Sequence, residues 1–288
     1  MVLNKCATLE EYAQFLKRNP KELDALYSDV LISVTSFFRN PEVFDFLKEK
    51  LFPKLFRGYR EDPIRCWVLG CSTGQEAYSI AMVFDEFFSR QARKPKFQIF
   101  ASDLNEALLS KARAGLYTKS LVQDISPERL RRYFVEENGG YRISKSLRDI
   151  VVFARQNLIY DPPFSRMDLI SCRNVLIYLD GAVHRRIIPT FHYALKPHGV
   201  LVLGSSETVG SFNELFEPLH KKLKIYQKRP VATPPLQVDI SVRPWDKKKS
   251  VEFKAPPHGQ FFPAQIVFLL RRHLLQSGSV RGVVVSPA

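Results

Sequence analysis

Between Ile64 and Gln227 the chain repeats one pattern: a short apolar run, a turn, then a stretch with helical periodicity. The apolar runs are IRCWVLG (64–70), FQIFAS (97–102), DIVVFAR (149–155), MDLISC (167–172), GVLVLG (199–204) and LKIYQ (223–227). Helical periodicity occupies most of the intervals, at 75–89, 105–114, 127–136 and 181–195. Nearly continuous apolar strands are buried on both faces. Their alternation with helices predicts an α/β fold, a Rossmann-like, mainly parallel sheet with helices on both faces. The last run follows its predecessor without a long helix, which predicts an antiparallel entry.

Residues 116–150 interrupt the rhythm. They carry a capped helix start at Ser126-Pro127 and a turn at Asn138-Gly139-Gly140, and read as a small inserted subdomain. The body of the sheet domain is expected over 57–228. Before it, residues 1–56 read as a short helical N-terminal segment, with Asn40 as N-cap and Pro41 at the first helical position. After Arg229 the character changes: eight of the nineteen prolines lie there, together with DKKKS at 246–250, so 229–288 reads as linker or disordered tail. An amphipathic stretch at 261–275 has no assigned role.

The formal net charge of +14 is unevenly placed. Residues 229–288 hold nine Lys/Arg against three Asp/Glu, leaving +8 on the preceding 228 residues. A basic balance calls for an acidic partner without saying which. The four cysteines, Cys6, Cys66, Cys71 and Cys172, form no CxxC and no metal-ligand spacing with histidine, which argues against a zinc site or a disulfide scaffold and for a reducing compartment. No run approaches the roughly 18 apolar residues of a membrane span, and the start lacks the apolar core of a signal peptide. The expectation is a cytoplasmic protein without membrane insertion.

The turn after the first strand, GCSTGQEA (70–77), decides what kind of ligand the sheet can hold. A dinucleotide fingerprint needs G-x-G-x-x-G, and a P-loop needs a Gly-Lys-Ser/Thr ending; neither is present. Glu76 at the start of the following helix would repel phosphate. It suits a ligand with a positive charge and no phosphate, and S-adenosylmethionine is such a ligand. Asp103, ending the second strand, stands where acidic residues grip ribose hydroxyls. Taken singly, each has a plainer reading: Glu76 as a first-turn carboxylate, Asp103 as a cap for 105–114.

Several motifs then occur in order: TSFFRNPEVF (35–44), GCSTGQEAYSIA (70–81), FASDLN (100–105), RQNL (155–158), CRNVLIYL (172–179) and LKPHGVLVLGSSE (195–207). Over about 10–228 the chain closely resembles the CheR family of chemotaxis receptor methyltransferases, which methylate glutamate side chains on receptor helices with S-adenosylmethionine. The resemblance implies a protein-glutamate O-methyltransferase serving sensory adaptation, releasing S-adenosylhomocysteine. It places Thr35 and Arg39 at the cofactor, Arg39 near the reacting centre, Glu76 at the methionine end and Asp103 at the ribose. Asn157 and Leu158 would flank adenine, Arg173 and Asn174 would close the pocket, and Tyr178 would lie beside the transferred methyl. Ser33 stands where the family often has Asn, and Gln75 and Ala77 replace two other common residues. The short start resembles a piece of a larger multidomain signalling protein.

The implied partner is the cytoplasmic helical domain of a chemoreceptor, met by basic residues such as Lys17, Arg18 and Lys21. The loop 135–143 is short, so no receptor pentapeptide tether is expected. Two alternatives stand beside this reading. One is a non-catalytic S-adenosylmethionine-binding scaffold. The other is a nucleic-acid methyltransferase, for which YDPPFS (160–165) occupies the place of a flipped-base motif; the TSFFR and CRNVLIY motifs favour a protein acceptor, with no nucleic-acid partner.

Overall fold

The computed structural model describes residues 9–19, 35–56, 62–89, 91, 95–179 and 181–235. They fall into two compact units. The first contributes one described helix, α1 (Leu9–Arg18), in which Tyr12 and Leu16, four positions apart, are buried and Arg18 is exposed. Lys21, Ser33 and the Lys17 side chain lie outside the described residues, as does the 261–275 stretch.

The second unit begins at Thr35. Helix α2 (Pro41–Phe46), a π turn (Leu47–Leu51) and α3 (Phe52–Leu55) follow one another directly. Pro53 has no N–H for the Glu49 carbonyl four residues back, and the widened turn is how a helix absorbs such a residue. Pro41 does stand at the helix start and Asn40 at the N-cap position, but the Asn40 side chain does not cap the helix. The Asn40 backbone is left-handed (φ 60°) and its side chain makes no cap hydrogen bond. That side chain is engaged by Arg173 instead.

The sheet domain then runs β1 (Ile64–Leu69), α4 (Gln75–Phe88), β2 (Phe97–Asp103) and α5 (Glu106–Ala114). The inserted region contributes β3 (Leu116–Thr118), α6 (Pro127–Tyr133), β4 (Phe134–Glu137), β5 (Gly140–Ile143) and α7 (Lys145–Arg148). The remainder is β6 (Val151–Arg155), β7 (Met167–Cys172), α8 (Gly181–Ala194), β8 (Leu195–Leu203), β9 (Phe216–His220) and β10 (Ile225–Lys228). Seven strands form one sheet in the order β6-β2-β1-β7-β8-β10-β9, and β3-β5-β4 form a second, three-stranded sheet. The first five strands of the large sheet are parallel; β10 enters antiparallel between β8 and β9, as its short connection predicted.

Strand alternation sorts the core into two layers. Cys66 and Val68 of β1 join the layer that includes Ile80 and Phe84 of α4, while Trp67 and Leu69 join the layer with Ile187 and Phe191 of α8. Helices therefore cover both faces. Phe37, Phe44 and Phe52 belong to the first layer, so the segment before β1 shares the core of the sheet. Order reverses between β1 and β7, and in such sheets the crevice beyond the carboxyl ends at that point is where ligands sit.

Three boundaries depart from the sequence pattern. The helix expected over 127–136 stops at Tyr133, because Phe134–Glu137 pairs with β5 through the hairpin tip Asn138-Gly139, both at positive φ. Strand β8 starts at Leu195 rather than 199, with a register shift opposite Met167 and Leu169. Strand β9 has no counterpart among the expected runs. Pro218 breaks its signal, and proline is tolerated there because β9 is the sheet edge.

Candidate active site

The turn after β1 is shaped by positive backbone angles at Gly70 (φ 59°), Ser72 (50°) and Gly74 (93°), the last standing at the N-cap of α4. A Cβ on Gly70 would lie 2.5 Å from Val175 Cγ2, so the loop after β7 reaches this turn only because position 70 has no side chain. The Cys71 N–H donates to Ser102 O, and the Ser72 N–H donates to Asp103 Oδ2 at 2.8 Å. Asp103 also accepts the Asn105 N–H at 2.9 Å. The cap of α5 is Asn105, which accepts the N–H groups of Ala107 and Leu108; Asp103 is therefore free of the capping role. A carboxylate has about four acceptor positions, and two remain beyond these backbone donors.

Glu76 accepts from Ser171 Oγ at 2.6 Å and pairs with Arg173 Nη1 at 3.2 Å. Arg173 is buried, and its Nη2 donates to Arg39 O at 2.6 Å and to Asn40 Oδ1 at 2.9 Å. One guanidinium thus ties three pieces together: the helix start at 76, the strand end at 172 and the segment 35–40. That segment is held from its other side too. The Phe38 N–H donates to Ser79 Oγ, Arg129 lies 4.0 Å over the Phe38 ring, and Phe37 meets Tyr117 and Phe134 edge-on. Tyr117 Oη in turn donates to Thr73 O at 2.7 Å, so the inserted subdomain braces both the glycine turn and the segment carrying Arg39.

Beyond β6, Asn157 Oδ1 accepts the Ile159 N–H and the Asn157 N–H donates to Asp161 Oδ2, which closes the turn. Leu158 packs on the core layer of α8. In YDPPFS, Asp161 is spent on that turn and Phe164 meets Trp67 and Phe100. Beyond β7, Asn174 takes a left-handed backbone (φ 59°), and Tyr178 ends the 3-10 turn Leu176–Tyr178. Thr35, Glu76, Asp103, Asn157, Leu158 and Asn174 are half-buried, whereas Arg39 and Tyr178 are exposed. Three described cysteines, Cys66, Cys71 and Cys172, are buried near these strand ends, and burial pushes their thiols well above the usual range, which leaves them inert as nucleophiles.

Residues 33–225 match the family model described as CheR methyltransferase, SAM binding domain. The chain belongs to the CheR methyltransferase family. This CheR domain is 36% identical over 188 residues to chemotaxis protein methyltransferase 1 of Pseudomonas aeruginosa, covering 64% of this chain and 69% of that protein. It is 34% identical over 209 residues to a chemotaxis protein methyltransferase of Listeria monocytogenes, covering 73% and 78%. An uncharacterized 104.1 kDa protein of Rhodobacter capsulatus is 38% identical over 236 residues, which is 81% of this chain and a quarter of that one. The seven-stranded sheet of this chain has the Rossmann-like α/β order.

The residues present fit S-adenosylmethionine, the cofactor of this domain. Acidic groups end β2 and begin α4, and among the described residues five buried side-chain polar atoms have no partner. Three of them, Ser72 Oγ, Gln156 Oε1 and Arg173 Nε, belong to residues just past the carboxyl ends of β1, β6 and β7. Unsatisfied polar atoms collected at one end of a sheet are what a polar ligand would complete. Sequence reasoning missed Ser72, Ser171 and Gln156. It also missed Glu207, a buried carboxylate visible only as the last letter of the GSSE motif.

Proposed function

We propose that this chain transfers the methyl group of S-adenosylmethionine to glutamate side chains on the cytoplasmic helical domain of a chemoreceptor. The observation that carries the reading is the contrast in exposure at the site. Glu76, Asp103, Asn157 and Asn174 are half-buried and Arg173 is buried, while Arg39 and Tyr178 are exposed and on this reading form the rim. The inner residues would hold the cofactor: Glu76 the ammonium, Asp103 the ribose diol, Asn157 and Leu158 the adenine, with Thr35, Arg173 and Asn174 closing around it. The rim residues would meet the acceptor.

S-adenosylmethionine supplies, when bound, an electrophilic methyl on a sulfonium. A glutamate carboxylate with a reference pKa of about 4.3 is already ionised near neutral pH, so no residue has to remove a proton. The work left to the protein is alignment and exclusion of water. The Arg39 guanidinium can orient an incoming carboxylate, and Tyr178 Oη can donate a hydrogen bond beside it. The strands β4 and β5 are joined by the short tip Asn138-Gly139, and on this reading the acceptor would be reached without a tether. No helix among the described residues is long and apolar enough to cross a membrane.

The test is transfer of radiolabelled methyl from S-adenosylmethionine to a receptor cytoplasmic fragment, scored as base-labile label, with Arg39→Ala alongside. Label that depends on Arg39 supports a carboxyl methyltransferase. Absence of label while S-adenosylhomocysteine still binds overturns it in favour of a scaffold.

A further inference from the structure

Glu207 lies on the loop after β8, is 3% exposed, and accepts four backbone N–H groups. Its Oε2 takes Gly204 at 2.5 Å and Asn174 at 3.0 Å; its Oε1 takes Leu176 at 2.7 Å and Ile177 at 3.3 Å. All four acceptor positions of the carboxylate are thereby filled by backbone donors. Three of the donors belong to the loop after β7, and two of these open the 3-10 turn that ends in Tyr178. The same loop is seated on β1 through Val175, which occupies the space above Gly70.

We infer that Glu207 is a positioning residue for Tyr178: it fixes the turn that presents the tyrosine at the reacting centre. The inference rests on the proposed role of Tyr178 in methyl transfer. Charge matters here as well as shape. A glutamine would put an NH2 donor against two N–H donors on one side of the cluster, and an aspartate would be one methylene short of spanning both loops. Gly204 belongs to the same device. A Cβ there would sit 2.7 Å from Glu207 Oε2 and 2.8 Å from Asn174 N, so a side chain at 204 would displace the carboxylate while leaving it chemically intact.

The experiment compares Glu207→Gln and Gly204→Ala with the parent chain, each alone and with Tyr178→Phe, at saturating S-adenosylmethionine. Binding of S-adenosylhomocysteine and thermal melting identify the variants that fold; the two single variants disturb one contact from opposite sides, so either suffices. The expected result is a fall in kcat of about tenfold or more, since displacement near 1 Å at a reacting centre costs up to about a hundredfold. Because the same carboxylate holds Asn174, S-adenosylhomocysteine affinity can fall too, but by less than kcat, and the kcat loss should shrink to less than about twofold in the Tyr178→Phe background. An equal loss in both backgrounds, an unchanged kcat, or a loss wholly explained by weaker cofactor binding overturns the inference. A second arm needs no acceptor. In chains carrying 3-fluorotyrosine, the Tyr178 fluorine resonance, assigned by its absence in Tyr178→Phe, should shift or broaden in Glu207→Gln while the other tyrosines stay in place. If the parent chain labels no receptor fragment, the proposed function fails on its own, and an unmoved fluorine resonance is then what overturns the role of Glu207.

Discussion

Arg173 and Glu76 are 97 residues apart in the chain and meet at 3.2 Å, and the other arm of the same guanidinium closes on the Arg39 carbonyl at 2.6 Å. The pair ties the segment that carries Arg39 to the start of α4 and the end of β7.

Removing one partner of a buried pair leaves the other charge stranded, so Arg173→Ala should destabilise the domain by about 3 kcal/mol, measured by urea unfolding at neutral pH. Arg173→Lys keeps the charge but cannot reach Glu76, Arg39 O and Asn40 Oδ1 together. Losing one charge-assisted hydrogen bond, about 1.5 kcal/mol, corresponds to roughly tenfold weaker S-adenosylhomocysteine binding by calorimetry. Full affinity in Arg173→Lys would show that the fork geometry is not needed.

Asp103→Asn places an amide where two backbone N–H groups converge. One of them must lose its acceptor. On the proposed role of Asp103, the ribose contact then loses both its charge and its preset orientation, and S-adenosylhomocysteine affinity should fall by about tenfold or more, at about 1.5 kcal/mol per charged hydrogen bond. Equal affinity of variant and parent would remove Asp103 from the cofactor site.

Gly70→Ala combines a left-handed backbone with a contact of 2.5 Å to Val175 Cγ2. The backbone part costs about 1 kcal/mol and is insensitive to neighbours; the steric part depends on Val175. The double variant Gly70→Ala, Val175→Ala should therefore recover part, not all, of the lost stability. Complete recovery in thermal melts would mean that the backbone angle costs nothing.

Glu86 supplies a pH signature. Burial alone would raise its pKa, but hydrogen bonds and charge from Arg129 and Lys48 prevail and hold it below the usual carboxylate range. A carboxyl whose folded pKa is depressed stabilises the fold above its unfolded pKa, and that contribution is lost as pH falls through the folded value. Glu86→Gln should be less stable than the parent at pH 7, and the difference should close as pH drops below about 4.5. A gap that persists at acid pH would assign the loss to packing instead.

The central strands were legible because strands buried on both faces read as nearly continuous apolar runs, as in IRCWVLG and MDLISC, interrupted only at Arg65, Asp168 and Ser171. The edge strand Phe216–His220 was not, since an edge needs no such run and tolerates Pro218. The helix at 127–136 was overextended because Tyr133, Phe134 and Val135 continue an apolar pattern that helix and hairpin share. At the site, the position of Glu76 beside a left-handed glycine turn was visible in the motif itself. Its pairing with Arg173 was not, and neither was the capture of Asn40 by the same guanidinium, because nothing local records a contact 97 or 133 residues away. Glu207 illustrates the same limit: a carboxylate whose partners are all backbone N–H groups leaves no complementary residue type in the sequence to search for.

Most of the inserted subdomain is committed. Tyr117 touches the carbonyl of Thr73, Phe134 touches Phe37, and a Cβ on Gly140 would lie 2.6 Å from the Tyr117 carbonyl. At Gly139 nothing lies within 4 Å. Length can therefore change at that tip without disturbing a neighbour, whereas a change at Tyr117 or Phe134 would be felt at Thr73 and Phe37. The tip is the natural place to attach a label or a foreign peptide.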